Sequence, residues 1–436
     1  MNILKENGIF AFICSNKFAK AKYGEKLRKL ILNNQLKIYN DYTGVKIFKE
    51  ASVDTCVIQI KKAYVEDNEV HVDDKYYMEQ SRLDSNSFTF NSPEILDLRD
   101  KIFNQGTLIK DLDIQINYGI KTGFNKAFII DEETKDMLIK KDFNNKEIIK
   151  PLLRGRDIGK WKISYKNLYV IFTRRGININ NYPVIKEFLS QYKDDLTPKS
   201  KNAKNSAKGR KPGPYKWYEI QDNVAYYSLF EKEKIMYSTI APEPRFIFDI
   251  NKHYILDSGF IMTSETINLK FLIALLNSKL LFWYFKDICY SLSTKGFQFK
   301  KIFLEQLPIK LDRTYEKKIT ILTNKIIRLN ELYISETNDF LKKLAINSHA
   351  VNFSNKLENY FSLSENEFIN EIKKLKIDLS DENLRNNLTN QFKISSKKIN
   401  AINKEINDLE KEMNNLVFKL YNLNDKEIII IENELK

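Results

Sequence analysis

From Leu311 to Lys436 the chain contains neither glycine nor proline; all 13 glycines and 9 prolines lie before it. A stretch of that length without a helix breaker is set up for long helices. Within it Ile399, Ile402, Ile406, Leu409, Met413, Leu416 and Leu420 step by three and four residues. That spacing puts them on one helical stripe, the seam of an antiparallel helix pair or a short coiled coil. Packing inside the chain and association between chains both suit such a seam.

The front of the chain has a different period. "GIFAFIC" reads as a buried strand, and "AKYGEKLRKLIL" as a helix with Tyr23, Leu27, Leu30 and Ile31 on one face. "QLKIYNDY" and "DTCVIQIKK" read as further strands. A buried strand and its following helix belong inside an α/β domain, so the chain opens in what reads as the middle of one. The polar stretch from Tyr64 to Phe88 reads as a connecting arm.

From about Asp97 to Pro308 short strand candidates such as "KAFIID", "LYVIF", "RFIFDI" and "HYILDSGFIMT" alternate with loops and short helices. The segment from Lys193 to Trp217 is mostly loop-forming, too polar for a core and too basic for an ordinary linker. The expected class is α/β and α+β, with three parts. Residues 1–85 form the closing part of an α/β sheet, 86–310 an irregular mixed α/β domain, and 311–436 a helical region.

Hydrophobic residues make up 43% of the chain, enough for real cores, and its formal charge is +14. A basic chain suits a polyanionic partner, above all nucleic acid. A coding bias toward Lys and Asn gives the same excess, so clustering decides. Cys14, Cys56 and Cys289 are odd in number and far apart in sequence. They fit free thiols in a reducing cytoplasm, not a disulfide framework. His71, His253 and His349 lie near no cysteine, so no metal is expected. No window of 18 consecutive apolar residues occurs, and no signal-peptide pattern, so a cytoplasmic protein without a membrane partner is expected.

The motifs of catalysis are missing. "RGRDIGKW" is one residue short of a phosphate-binding loop and lacks Ser or Thr after its lysine. The glycines of "YGIKTGFNKAF" read as a tight turn. No G-x-G-x-x-G, F-x-G-x-G, G-x-S-x-G or H-E-x-x-H occurs. "PEILDLRDK" and "EKEK" fit a nuclease frame only by force.

Binding features are better supported. "LLRGRDIGKW" sets Arg154 and Arg156 two apart, on one face if the backbone is extended. "FTRRGI" supplies Arg174 and Arg175. "GRKPGPYKWYEI" joins Lys208, Arg210 and Lys211 to Tyr215 and Trp217. Basic residues interleaved with aromatics can neutralise phosphates and stack on bases. Lys121, Thr122 and Asn125 of "YGIKTGFNKAF", Arg245 of "APEPRFIF" and Lys295 of "SLSTKGFQFKK" complete the candidate DNA contacts.

Several stretches in order carry a resemblance. "NGIFAFICSNKFAKAKYGEKLRKLIL" and "IFKEASVDTCVIQIKK" resemble the closing half of a Rossmann-like, adenine-specific DNA methyltransferase domain. The matching positions are Ile13 to Phe18, Leu27 to Leu30, and Phe48 to Thr55. "IIKPLLRGRDIGKW", "WYEI", "KIMYSTIAPEPRFIFD", "LIALLNSKLLFWYFK" and "FKKIFLEQLPI" resemble the TaqI-like C-terminal specificity domain of type II restriction-modification enzymes, including the type IIG group.

The resemblance implies double-stranded DNA as partner and S-adenosylmethionine as the family's cofactor. The family binds that cofactor at an F-x-G-x-G-type loop and positions a flipped adenine with (N/D)-P-P-(Y/F). Neither motif occurs; Asn181–Tyr182–Pro183 has a single proline. No catalytic or cofactor-binding residue is therefore carried over. The expectation is a bacterial DNA-recognition part of such a methyltransferase, with the cofactor half supplied by a separate chain or lost by truncation. The alternative is a stand-alone specificity subunit of a multi-subunit restriction or phage-defence system.

Overall fold

The computed structural model describes residues 1, 3–48, 53–204, 207–289, 296–348, 353–375, 377 and 379–435. They group into two units, neither continuous in sequence. One comprises Met1–Leu112, Lys279–Leu311 and Tyr421–Lys436; the other comprises Asp113–Ser278 and Asp312–Leu420. Both are mixtures of helices and sheets.

In the first unit β1 (Ile9–Ser15) joins β2 (Gln35–Asp41) and β3 (Thr55–Lys61) in a sheet. With β4 (Glu69–Val72) and β5 (Tyr76–Glu79) its order is β1-β3-β2-β4-β5. β2 and β4 run parallel and the other neighbours antiparallel. The stretch expected as a connecting arm thus enters the sheet. Its signal was hidden because only Val70, Val72 and Met78, all buried, alternate with charged, histidine and tyrosine neighbours.

The expected burial of "GIFAFIC" does not hold. β1 is the sheet edge, and Ile9 is 58% and Phe12 53% exposed. It is apolar on both faces, a pattern suited to a covered strand, yet no described element covers it. The helix α1 (Glu25–Leu32) also departs from its expected face. Ile31 is buried, whereas Tyr23, Leu27 and Leu30 are exposed. The inward residue beside Ile31 is Arg28, which donates to the carbonyls of Ser85 (2.7 Å), Ala21 (2.8 Å), Asn86 (2.9 Å) and Phe18. Gly24 leaves room for this turn, since a Cβ there would lie 2.1 Å from the Phe18 carbonyl oxygen.

The second unit holds two four-stranded sheets. Phe246–Asp249, Lys234–Ser238, Gly259–Thr263 and Gln115–Tyr118 lie side by side, all antiparallel. In the other, Tyr254–Ile255 joins Ile149–Leu153 in parallel, followed by Tyr169–Ile171 and Ile129–Ile130. One apolar cluster, including Phe128, Leu153, Ile171, Ile185, Phe230, Met236 and Ile261, fills the space around them.

The glycine- and proline-free stretch forms the helices Arg313–Ser348 and Glu382–Leu420, which pack on one another. Ile399, Ile402, Ile406, Met413 and Leu420 of the seam are buried. Glu410 ties the second helix to the sheet region, accepting from Trp161 Nε1 at 2.5 Å and from Lys160 Nζ at 3.0 Å. No described helix is long and apolar enough to cross a membrane.

Candidate nucleic-acid interface

The turn Leu256–Gly259 organises the basic loops of the second unit. Ile120 donates to Ile255 O at 2.6 Å, Asp257 to Ile120 O and Gly119 to Gly259 O, both at 2.9 Å. Gly119 must be glycine here, because a Cβ would sit 2.0 Å from Leu256 O. On the other side Gly155 donates to Ser258 Oγ at 3.0 Å, and its own Cβ would meet Ser258 O at 2.5 Å. "YGIKTGFNKAF" and "LLRGRDIGKW" therefore flank one turn.

The third loop joins through main-chain bonds. Gln221 donates to Thr122 O (3.3 Å), Asp222 to Lys121 O (3.2 Å) and Ile220 to Thr173 O (2.9 Å). Arg210 closes the assembly. It donates to Leu196 O and Thr122 O at 2.7 Å, to Trp217 O at 3.0 Å and to Lys216 O at 3.3 Å. Burial pushes this guanidinium down to about 10, opposed by Tyr215 and Glu219, so it stays charged at neutral pH. Three loops far apart in sequence thus share one rim.

The rim sorts the candidate residues. Arg210 and Thr122 are 3% and 1% exposed, and Tyr215 is buried with its hydroxyl on Lys211 O. These three hold loops together and are withdrawn as direct DNA contacts in this conformation. A basic loop packed over a core needs its carbonyls satisfied, and Arg210 does that. Arg154 and Arg156 do not share a face. Gly155–Asp157 is a 3₁₀ turn, not extended backbone, and Arg154 folds back on Asp157 at 2.8 Å. Those hydrogen bonds hold the Arg154 guanidinium above its ordinary value.

Arg156, Arg174, Asn125, Lys208 and Lys211 remain exposed. Arg174 stacks over Tyr227 at 4.9 Å, and Asn125 Oδ1 accepts from Thr122 Oγ1 at 2.6 Å. Lys121 faces Asp257 at 3.9 Å. Arg175 is half-buried over Tyr215, donates to Gln221 O at 2.5 Å, and keeps a buried Nε without a partner among the described residues. Trp217 is half-buried, with Lys193 5.8 Å from its ring. Arg245 pairs with Glu243 at 3.6 Å; burial pushes nearby Lys162 down, and Arg245 adds to that. Lys295 lies outside the described residues, as does Ala51 of the methyltransferase-like stretch.

Reasoning from the sequence missed Lys126, exposed beside Asn125, and Gln221, whose N–H donates to Thr122 O; nothing around either marks it. Exposed cations beside amides and half-buried aromatics can neutralise phosphates and read base edges. Among the described residues no group of three or more His, Cys, Asp or Glu is placed to hold a metal ion.

Residues 150–309 match the family described as the TaqI-like C-terminal specificity domain. That segment is similar to TaqI-like specificity domains. Ahead of it, residues 1–48 match the Eco57I restriction-modification methylase, and behind it 312–417 match a domain of unknown function. The type II methyltransferase M.BstVI of Geobacillus stearothermophilus is 21% identical over 372 residues, 76% of this chain and 63% of that protein. The type II restriction enzyme and methyltransferase RM.Eco57I of Escherichia coli is 22% identical over 331 residues, 65% of this chain and 33% of that one. The chain thus spans between one third and two thirds of the length of these relatives, and its similarities are to restriction-modification methyltransferases. Among solved structures, the type IIL restriction-modification enzyme MmeI in complex with DNA is 12% identical, with a TM-score of 0.48 over 91% of this chain and 50% of that one.

Proposed function

We propose that this chain is the DNA-recognition part of an adenine-specific restriction-modification methyltransferase of the type IIG kind, acting in the cytoplasm. The observation that carries this is the gathering of three basic loops, two flanking the Leu256–Gly259 turn and the third bonded to the first through Thr122 and Lys121, two of them within the segment matched to the specificity domain. Arg156, Lys121, Lys126, Lys208 and Lys211 neutralise phosphates on this reading, and Arg174, Asn125 and Gln221 face base edges. Arginine forks pair with guanine and amides with adenine in the major groove.

The reaction served is methyl transfer from S-adenosylmethionine to an adenine swung out of the duplex. The cofactor loop and the adenine-binding motif have no counterpart in these 436 residues. This chain contributes recognition, and the Rossmann-like cofactor half comes from further sequence, in the same polypeptide or in another. The open edge of β1, apolar on both faces, is where its strands add.

The test is binding of labelled duplex DNA by the full chain at a series of salt concentrations. Affinity falls steeply with salt, and Arg156→Ala lowers the slope of log affinity against log salt by about one. Binding indifferent to salt, or a slope unchanged in Arg156→Ala, contradicts the assignment.

A further inference from the structure

Cys14 and Cys56, 42 residues apart in sequence, are direct partners in the antiparallel ladder of β1 and β3. Their sulfurs lie 3.9 Å apart. Directly opposed residues in such a ladder have Cα atoms about 4.5–5.5 Å apart. A disulfide needs about 4.4–6.8 Å, so closure asks for side-chain rotation without strand movement. Cys289, the third thiol, is buried elsewhere in the same unit, with its sulfur 3.9 Å from Lys286 O.

We propose that Cys14 and Cys56 are a reactive dithiol that closes to a cross-strand disulfide by exchange with a low-molecular-weight disulfide, stapling the edge strand β1 to β3. Cys14 is the entry point because it is partly exposed, whereas Cys56 is fully buried. The Cys14 thiolate attacks one sulfur of the small disulfide, forming a mixed disulfide and expelling one thiolate. The Cys56 thiolate then attacks the Cys14 sulfur, forming the Cys14–Cys56 bond and expelling the second thiolate. Two protein thiols are oxidised, one small disulfide is reduced to two thiols, and the two protons end on them.

Burial pushes both thiols up, and Asp41 and the partner sulfur push Cys56 further; the Tyr39 hydroxyl opposes this only in part. Closure is therefore slow at neutral pH and accelerates as pH rises. The staple acts where the fold needs it, because β1 holds to the sheet by one edge only.

The test incubates the full-length protein with oxidised glutathione, then alkylates, digests without reduction and maps peptides. The expected result is joint loss of the Cys14 and Cys56 thiols, a linked peptide containing both, and a free Cys289. Backbone amides of β1 then exchange more slowly than in the reduced protein. Cys56→Ser stops at a glutathione adduct on Cys14. Unreacted thiols, a persistent adduct on Cys14 in the wild type, or Cys289 lost in step with the pair overturns the proposal. The wild-type map decides even if the variant fails to fold.

Discussion

The guanidinium of Arg210 donates to the carbonyl of Thr122 at 2.7 Å, tying two loops that are 88 residues apart in sequence. Arg210 is thus a strut, whereas Arg156 is exposed on the same rim. Arg210→Ala leaves four carbonyl contacts unmet and should cost about 3 kcal/mol, read from the urea midpoint. Arg156→Ala should stay within about 0.5 kcal/mol of wild type. Equal losses in the two variants would contradict the division.

Gly119 lies against the backbone of Leu256, where a Cβ would be 2.0 Å from a carbonyl oxygen. Backbone cannot yield as a side-chain tip can. Gly119→Ala should therefore displace the Lys121 loop and cost about 2 kcal/mol or more. DNA binding should weaken with it. Calorimetric unfolding and a binding titration on one preparation check both effects.

These two residues show what the sequence made legible. The basic loops could be named because arginine, glycine and aromatic residues cluster within each. Their convergence could not, since it rests on main-chain bonds between residues 119–122, 220–222 and 255–259, which carry no side-chain signature. Arg210 looked like a DNA contact for the same reason that it is buried: a guanidinium serves carbonyls as well as phosphates. The long helices were plain from the absence of breakers. The β4–β5 pair was hidden because polar and aromatic residues, His71 and Tyr77 among them, fill its outward face, and β1 misled because an apolar strand was taken as covered.

Trp161 and Glu410 join the sheet region to the long C-terminal helix of the same unit at 2.5 Å. Trp161→Phe keeps the ring and removes the donor, leaving Lys160 as the remaining partner of Glu410. The expected loss is about 1–2 kcal/mol, seen as a lower urea midpoint and faster amide exchange near Glu410. Unchanged exchange there would show that the hydrogen bond does not hold the helix.

Asp249, Lys234 and His253 form a buried polar group. Asp249 Oδ2 accepts from Lys234 Nζ at 2.6 Å, and Asp249 Oδ1 lies 2.6 Å from His253 Nδ1. Burial alone would raise the carboxyl, but the His253 hydrogen bond and the Lys234 ammonium outweigh it and hold Asp249 below its ordinary value. A depressed carboxylate contributes stability that is complete above its unfolded value of about 3.9. That stability is lost as pH falls through the folded value. Asp249→Asn should cost about 3–5 kcal/mol at pH 7 and flatten the acid limb of a stability–pH curve. An acid limb as steep as that of the wild type would contradict the assignment.

The central claim is that one rim of the second unit holds duplex DNA. Hydrogen exchange of the full chain, with and without a saturating DNA duplex, tests it most directly. Protection should concentrate in residues 119–126, 154–157, 173–176 and 207–222. Protection confined to the Arg313–Ser348 and Glu382–Leu420 helices, or none at a DNA concentration that binds fully, would contradict it.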